Sequence, residues 1–166
     1  MTDVLALLVE FHREKLEALG RHQAGARLVG QYDANNTYQY IINREATQLS
    51  WLEAAIRDLG GPVTDDTDDA ADAGDVAGQG LARSTAQTIV DEDARTAKAF
   101  VERWRPRVEG LTHARHRQML RVILGEVLEQ QRFFEQAGAG RTDLLGTRSD
   151  AVGARVGSVM ADRWIE

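Results

Sequence analysis

Among the polar residues that stand where helical periodicity expects apolar side chains, six belong to a possible metal site. When each segment is projected at about 100° per residue, these residues fall on or at the edge of its apolar face. They are Glu45, Asp93, Glu126, Gln48, His12 and His22. A carboxylate in such a position is costly unless it is paired, hydrogen-bonded or bound to a metal. The three acids come from three separate segments, which is how a helical bundle builds a carboxylate metal site.

The residue types indicate which metal such a site would hold. Carboxylate and imidazole ligands suit iron or manganese, so these two metals are the expected cofactors. The three acids would be the anionic ligands, and Gln48, His12 or His22 would complete or orient the shell. In an active form, the bound metal would activate dioxygen or peroxide.

A buried polar network without any metal is the alternative for the same residues. In this network Glu45 would be satisfied by Lys15, His12 or His22, which all project on the apolar side of the first segment. Hydrogen bonds and charge pairing would then offset the cost of burying the carboxylate. The residues alone leave both arrangements open.

Two further groups of residues could hold other metals. His113 and His116 are three residues apart and could share zinc or nickel if the first segment supplied another histidine. Residues 61–80 contain six Asp and no Lys or Arg, and carboxylates are the ligands that calcium prefers. Their spacing lacks the alternating Asp pattern and closing Glu of a calcium-binding loop, so we interpret 61–80 as a solvated linker.

Four segments have the apolar periodicity of amphipathic helices and would position these residues. The predicted helices cover residues 3–30, 36–59, 81–105 and 112–136. Residues 33–35 are expected to form a turn before the second helix, and the third helix is expected to end before Pro106. Short connections inside the first and last pairs predict two antiparallel hairpins.

The connection between the second and third helices decides the predicted topology. It is long enough to run the length of a helix, at about 3.3 Å per residue. We therefore predict an all-α antiparallel four-helix bundle over residues 1–137, with 61–80 as one long acidic crossover. Residues 138–166 would form a C-terminal extension whose apolar residues, such as Trp164 and Ile165, dock on the bundle or on a neighbouring subunit. Self-association through this tail is expected.

Two stretches resemble the metal-binding helices of ferritin-like proteins of the rubrerythrin and bacterioferritin type. In residues 43–61, NREATQLSWLEAAIRDLGG, Glu45 matches the Glu of the family's Glu-x-x-His motif, and Gln48 stands where His is usual. In the fourth helix, GEVLEQQRFFEQ, Glu126 matches the Glu of the second copy, and Glu129 stands where His is usual. The resemblance implies a ferritin-like bundle, whose members often hold two irons between the four helices. Both motifs depart from the family by lacking their histidine.

Composition narrows the classes of function. The chain has no cysteine, which excludes disulfides, thiolate metal sites and iron–sulfur clusters. No apolar run approaches the roughly 18 residues of a membrane span and no signal-peptide pattern is present, so we expect no membrane partner and a cytoplasmic location. The net charge of −6 disfavours a nucleic-acid partner.

Two functional hypotheses follow, and neither assigns a catalysed reaction. The first is a ferritin-like bundle protein that binds metal through its inward carboxylates. The second is a non-catalytic structural or partner-binding helical module that has lost the metal site. The three inward acids favour the first hypothesis, and the two missing histidines favour the second.

Overall fold

The computed structural model describes residues 4–30, 32–63, 83–141 and 144–145. These residues form four α-helices and contain no strand. The helices are α1 (Val4–Leu28), α2 (Tyr32–Asp58), α3 (Arg83–Glu109) and α4 (Ala114–Gly138). The prediction of an all-α four-helix bundle is confirmed. Within the described ranges, no helix has an apolar stretch long enough to cross a bilayer.

The helices pack as two close pairs, α1 with α2 and α3 with α4, and the pairs meet through α1–α3 and α2–α4 contacts. Glu10 of α1 pairs with Arg107 of α3, whereas His22, further along α1, approaches Asp93. Residue numbers therefore rise along α1 as they fall along α3, so these two helices are antiparallel. The contacts of α1 with α2 show in the same way that these two helices are antiparallel. Because α1 is antiparallel to both α2 and α3, α2 and α3 run in the same direction. The end of α2 and the start of α3 thus lie at opposite ends of the bundle.

The second helix begins earlier than the sequence predicts, at Tyr32, and includes the expected turn at 33–35. Asp33 lies in the first turn of α2, where a carboxylate stabilises the positive end of the helix dipole. The Asn35 side chain donates a 2.7 Å hydrogen bond to the carbonyl of Ala26 near the end of α1. Asp33 and Asn35 are turn-forming residues, but these two interactions stabilise them inside a helix. Local propensity alone therefore predicted a turn where the structure has the first turn of α2.

The third helix does not end before Pro106, as the sequence predicts, but continues through it to Glu109. Proline inside a helix removes one backbone hydrogen bond and costs about 3 kcal/mol. Val108 and Leu111, which follow Pro106, are both almost completely buried in the core. Burial of these two side chains is worth about 1.5–3 kcal/mol each, which offsets the cost of the proline.

The core consists of two apolar clusters. The Trp104 cluster contains Phe11, Leu52, Ala97 and Val127, and the Phe134 cluster contains Ala26, Tyr38, Ile41 and Val90. With the exceptions of Thr37 and His116, the buried polar residues of each helix lie between a member of one cluster and a member of the other. We call them the polar layer: Lys15 and His22 on α1, Glu45 and Gln48 on α2, Asp93 on α3, and Gln130 on α4. The bundle therefore carries its polar side chains across its middle.

Several predictions concern residues outside those that the structure describes. They include the crossover beyond Val63, with its six Asp, and the tail from residue 146 onward, with Trp164 and Ile165. Of the predicted C-terminal extension, the described part includes Leu144, which is 5% exposed.

Candidate functional site

The projected inward residues are buried in the structure. Glu45 and Gln48 are completely buried, and Asp93, His22 and His12 are each at most 7% exposed. Glu126 is partly exposed, as expected for a residue at the edge of an apolar face. The six do not meet at one point but divide into three groups, centred on Glu45, Glu126 and His12.

Glu45 lies at the centre of the first group. Its Oε1 accepts a hydrogen bond from Lys15 Nζ at 2.6 Å, and its Oε2 lies 2.7 Å from His22 Nδ1. Lys15 and His22 are seven residues apart on α1, about two turns, so both project from one face towards the same carboxylate. The carboxylate of Glu45 is thus paired on both oxygens inside the bundle.

The charge state of Glu45 follows from these contacts. Burial alone would raise its pKa, but the hydrogen bond to His22 and the nearby Lys15 ammonium outweigh burial and hold the pKa below its ordinary value of 4.5. The residue is therefore ionised near neutral pH. Because an ionised carboxylate can only accept, the proton between the two side chains belongs to Nδ1 of His22.

Asp93 extends this group to a third helix. Tyr38 donates its hydroxyl to Asp93 Oδ2 at 2.5 Å, and His22 Nε2 lies 3.8 Å from Asp93 Oδ1. Burial raises the pKa of Asp93, and the Tyr38 hydrogen bond and the nearby His22 offset only part of this rise. Burial, together with the charge of Asp93, also raises the pKa of Tyr38, so its phenol remains a donor. Lys15, Glu45, His22, Asp93 and Tyr38 form one polar chain across α1, α2 and α3.

Glu126 belongs to a different group. Its carboxylate accepts hydrogen bonds from the Arg44 guanidinium and from Gln48 Nε2, both on α2. It therefore joins α4 to α2 near the surface, and its hydrogen bonds to described residues do not include Glu45. Gln48 and Glu126 are therefore hydrogen-bond partners of each other.

His12 forms the third group. Its Nε2 lies 3.6 Å from Glu53 Oε1 and has no hydrogen-bond partner within the described part of the chain. The alternative prediction of a buried network thus holds for Lys15 and His22, which contact Glu45, and not for His12.

These contacts bear on whether the residues fit the metal that the ferritin-like resemblance implies. Both oxygens of Glu45 already have donors, and one of the donors is the Lys15 ammonium, itself a cation. Among the described residues, no group of three or more His, Asp or Glu is arranged to hold a metal ion. The donor set therefore does not fit a carboxylate-bridged iron pair.

The histidine pair proposed for zinc or nickel has a structural role. The rings of His113 and His116 stack with centroids 4.1 Å apart. His113 is the N-cap of α4, and its side chain accepts from the backbone N–H of His116. Capping of this kind satisfies one of the free N–H groups at a helix start.

A cleft between α1 and α3 leads from the surface to the polar chain. We call it the α1–α3 cleft; its volume is about 350 Å³. Its lining includes Lys15, His22, Glu45 and Gln130 from the polar layer. Three arginines also line it, namely Arg13, Arg21 and Arg103, and they are exposed. The cleft thus brings buried donors and exposed positive charges to one space.

One residue of the site was not assigned from the sequence. Tyr38 was placed among the apolar residues of its helix, because a tyrosine packs like a hydrophobic residue apart from its hydroxyl. Lys15 was one of three alternative partners of Glu45, and the sequence did not choose among them. A lysine seven residues before a histidine on one helix face is the signal that could have identified it.

Comparisons of the chain with protein-family models, curated proteins and solved structures found no match in any of the three.

Proposed function

We propose that this protein is a ligand-binding four-helix bundle, built on a ferritin-like plan, that works without a metal ion. The observation that supports this most is the Lys15 ammonium at 2.6 Å from Glu45, with the lysine side chain 2% exposed and the glutamate side chain 0% exposed. A fixed internal cation supplies the positive charge that a metal would supply at this carboxylate. The α1–α3 cleft, which ends on the same residues, provides the space for a ligand.

A metal at Glu45 would have to compete with Lys15. To bind through Glu45, iron or manganese would displace the ammonium and leave it buried beside a second, doubly charged cation. An uncompensated buried charge of this kind costs several kcal/mol. We therefore expect the ion pair to exclude the metal under ordinary conditions.

Metal binding remains the second candidate, because one observation favours it. Glu45, His22 and Asp93 do lie in one buried layer and come from three helices. Carboxylate and imidazole groups in such a layer are ligands for iron or manganese. The metal content of the protein decides between the two candidates.

The test is elemental analysis of the full chain, expressed with iron and manganese available and purified without chelator. We expect no stoichiometric metal in the wild type, in Glu45→Gln or in Lys98→Met. Lys98 is an exposed lysine on α3 and serves as the matched control for Lys15→Met. Stoichiometric iron or manganese in the wild type that is lost in Glu45→Gln would overturn the proposal.

The Lys15→Met variant sharpens this experiment. It removes the internal cation and leaves the carboxylate of Glu45, so it is the variant in which metal has no competing ammonium. If Lys15 excludes metal, this variant should take up more iron or manganese than both the wild type and Lys98→Met. Equal uptake in all three proteins would show that Lys15 is not what excludes the metal.

Location and assembly are the remaining parts of the proposal. We propose the cytoplasm as the compartment, in keeping with the absence of cysteine from the sequence. Self-association through the tail stays a prediction.

A further inference from the structure

We infer that the α1–α3 cleft binds a small carboxylic acid. Its carboxylate would be held by Lys15 and Gln130, and its hydrocarbon part would lie against the apolar wall around Phe100. This inference rests on the proposed function, since a metal bound at Glu45 would change the charge at the same end of the cleft. Four observations support it: a free buried donor, a lysine with unused protons, a positive rim and an apolar wall.

Gln130 supplies the free buried donor. Its side chain lines the cleft, the residue is 4% exposed, and its Nε2 has no hydrogen-bond partner among the residues that the structure describes. An unsatisfied buried donor costs about 1–3 kcal/mol, so a ligand that accepts from it recovers this free energy on binding. The missing partner is therefore an acceptor.

Lys15 supplies the charge. An ammonium group has three protons to donate, and the one side-chain hydrogen bond that Lys15 makes to a described residue goes to Glu45. Two protons remain for an acceptor in the cleft. A carboxylate has two oxygens and can accept hydrogen bonds from Lys15 and Gln130 together. Hydrogen bonds to an ionised acceptor are stronger than those to a neutral one, so a neutral ligand would be held less tightly.

The rim of the cleft favours an anion. The acid Glu14 is already bound by Arg103 and Trp104. Among the described residues, Arg13 and Arg21 form no ion pair, and Glu17 is the remaining acid of the lining without one. The uncompensated charge at the rim is thus positive, which raises the local concentration of anions.

The apolar wall distinguishes a carboxylic acid from an inorganic anion. Ala18, Ala97, Phe100 and Val127 line the cleft alongside the polar groups. A phosphate ion has no hydrocarbon part, so the apolar wall would lie against a fully hydrated charge. Phosphate also carries a second negative charge, which would lie near the carboxylate of Glu45. The volume of about 350 Å³ lies at the small end of the roughly 300–1,000 Å³ range of ligand sites, which suits a compact molecule.

The experiment measures binding of benzoate and hexanoate to the metal-free full chain in EDTA, by titration calorimetry and by amide chemical-shift mapping. Benzamide and inorganic phosphate are the comparison ligands, because one lacks the charge and the other lacks the hydrocarbon part. We expect both carboxylates to bind more tightly than benzamide and phosphate. The shifted amides should include those of Phe100 and Gln130.

A matched pair of variants tests the assigned donor. Gln130→Leu keeps the size of the side chain and removes the free donor, whereas Gln118→Leu changes an exposed glutamine on the same helix. Loss of a hydrogen bond to a charged group should weaken carboxylate binding about tenfold or more in Gln130→Leu and leave it unchanged in Gln118→Leu. Gln130→Leu should fold, because it removes an unsatisfied buried group.

The outcomes separate this inference from the proposed function. Carboxylates that bind no better than benzamide, or equally well to Gln130→Leu and the wild type, would overturn the inference. Such a result leaves the metal-free ion pair to be judged by elemental analysis. Stoichiometric metal bound through Glu45 would instead overturn the proposed function and remove the basis of the inference.

Discussion

At the scale of single residues, the main feature is that Glu45 is both fully buried and ionised. Two donors from one face of α1 make this state favourable, because Lys15 and His22 each satisfy one oxygen. Asp93 has weaker support, since Tyr38 is its one hydrogen-bond donor among the described residues and its pKa is raised by burial. The two acids of the polar chain therefore differ in how their charge affects stability.

Lys15→Met should be strongly destabilising for this reason. Removing the ammonium leaves the charge of Glu45 half compensated, and breaking a buried pair from one side typically costs about 3–5 kcal/mol. The free energy of unfolding is measured by urea titration at neutral pH. Lys98→Met, the exposed control, should change it by no more than about 0.5 kcal/mol. A similar, small effect of both variants would contradict the assignment of Lys15 as the partner of Glu45.

The same two acids should give opposite pH dependences. The folded-state pKa of Glu45 lies below 4.5, so its contribution is present above that value and is lost as the pH falls through the folded pKa. The folded-state pKa of Asp93 lies above 3.8, so the cost of its charge appears as the pH rises from 3.8 through the folded pKa. Relative to the wild type, Glu45→Gln should lose stability with rising pH, and Asp93→Asn should gain it.

The measurement is a set of urea titrations of the wild type and both variants between about pH 3 and pH 7. At the acid end, Asp93→Asn should approach the stability of the wild type, since the pKa of Asp93 lies above 3.8 and its carboxyl group is mostly neutral there. The deficit of Glu45→Gln should be smaller at the acid end than at neutral pH. Differences that run parallel across the range, or with the two signs exchanged, would show that the assigned pKa directions are wrong.

At the scale of elements, helix contacts decide the effect of each glycine. Gly20 and Gly25 both lie inside α1, where glycine costs up to about 1 kcal/mol relative to alanine. A Cβ at Gly20 would meet no atom of another described residue within 4 Å, apart from its chain neighbours and the backbone of its own helix. A Cβ at Gly25 would lie 3.2 Å from the ring of Tyr38 and 3.3 Å from Ile89. Gly25 therefore permits the close approach of α1 to α2 and α3.

Alanine at these two positions should have opposite effects. Gly20→Ala should raise the free energy of unfolding by about 0.5–1 kcal/mol, because it improves helix propensity without a new contact. Gly25→Ala should lower it, because the Tyr38 ring must move and its hydroxyl is held by Asp93. Thermal and urea unfolding of the two variants provide the comparison. Equal stabilisation by both variants would mean that the α1–α2 contact at Gly25 has space for a Cβ atom.

At the scale of the whole molecule, the polar layer divides the core. The Trp104 cluster and the Phe134 cluster are each apolar, and the buried ion pairs lie between them. Buried ion pairs are seldom a net source of stability, because desolvation cancels much of their attraction. Stability therefore does not account for the layer, which is in keeping with the ligand site that we propose.

Replacement of the ion pairs by apolar residues tests this view. The triple variant Lys15→Met, His22→Leu, Glu45→Leu would join the two clusters into one core without leaving a charge of Glu45 or Lys15 behind. Such replacements are often neutral or stabilising by about 1–4 kcal/mol. We expect the triple variant to be at least as stable as the wild type in urea. If it loses as much as Lys15→Met alone, the polar layer is needed for stability.

Most of the fold could be predicted from the sequence. Apolar periodicity identified four helices, and the lengths of their connections predicted two hairpins joined by a crossover. The same periodicity predicted that Glu45 and Asp93 face inward, as the structure shows. It was less successful at helix ends, where Pro106 and the residues of 33–35 are held in helices by tertiary contacts.

Periodicity determines the angle at which a side chain leaves its own helix, and for that reason the sequence by itself could determine which residues are buried. It contains no information on the relative height and rotation of two helices, which depend on how all their side chains pack. Only the tertiary structure decided that Lys15 and His22 reach Glu45, that Gln48 and Glu126 pair with each other, and that Gln130 keeps a free donor in the cleft.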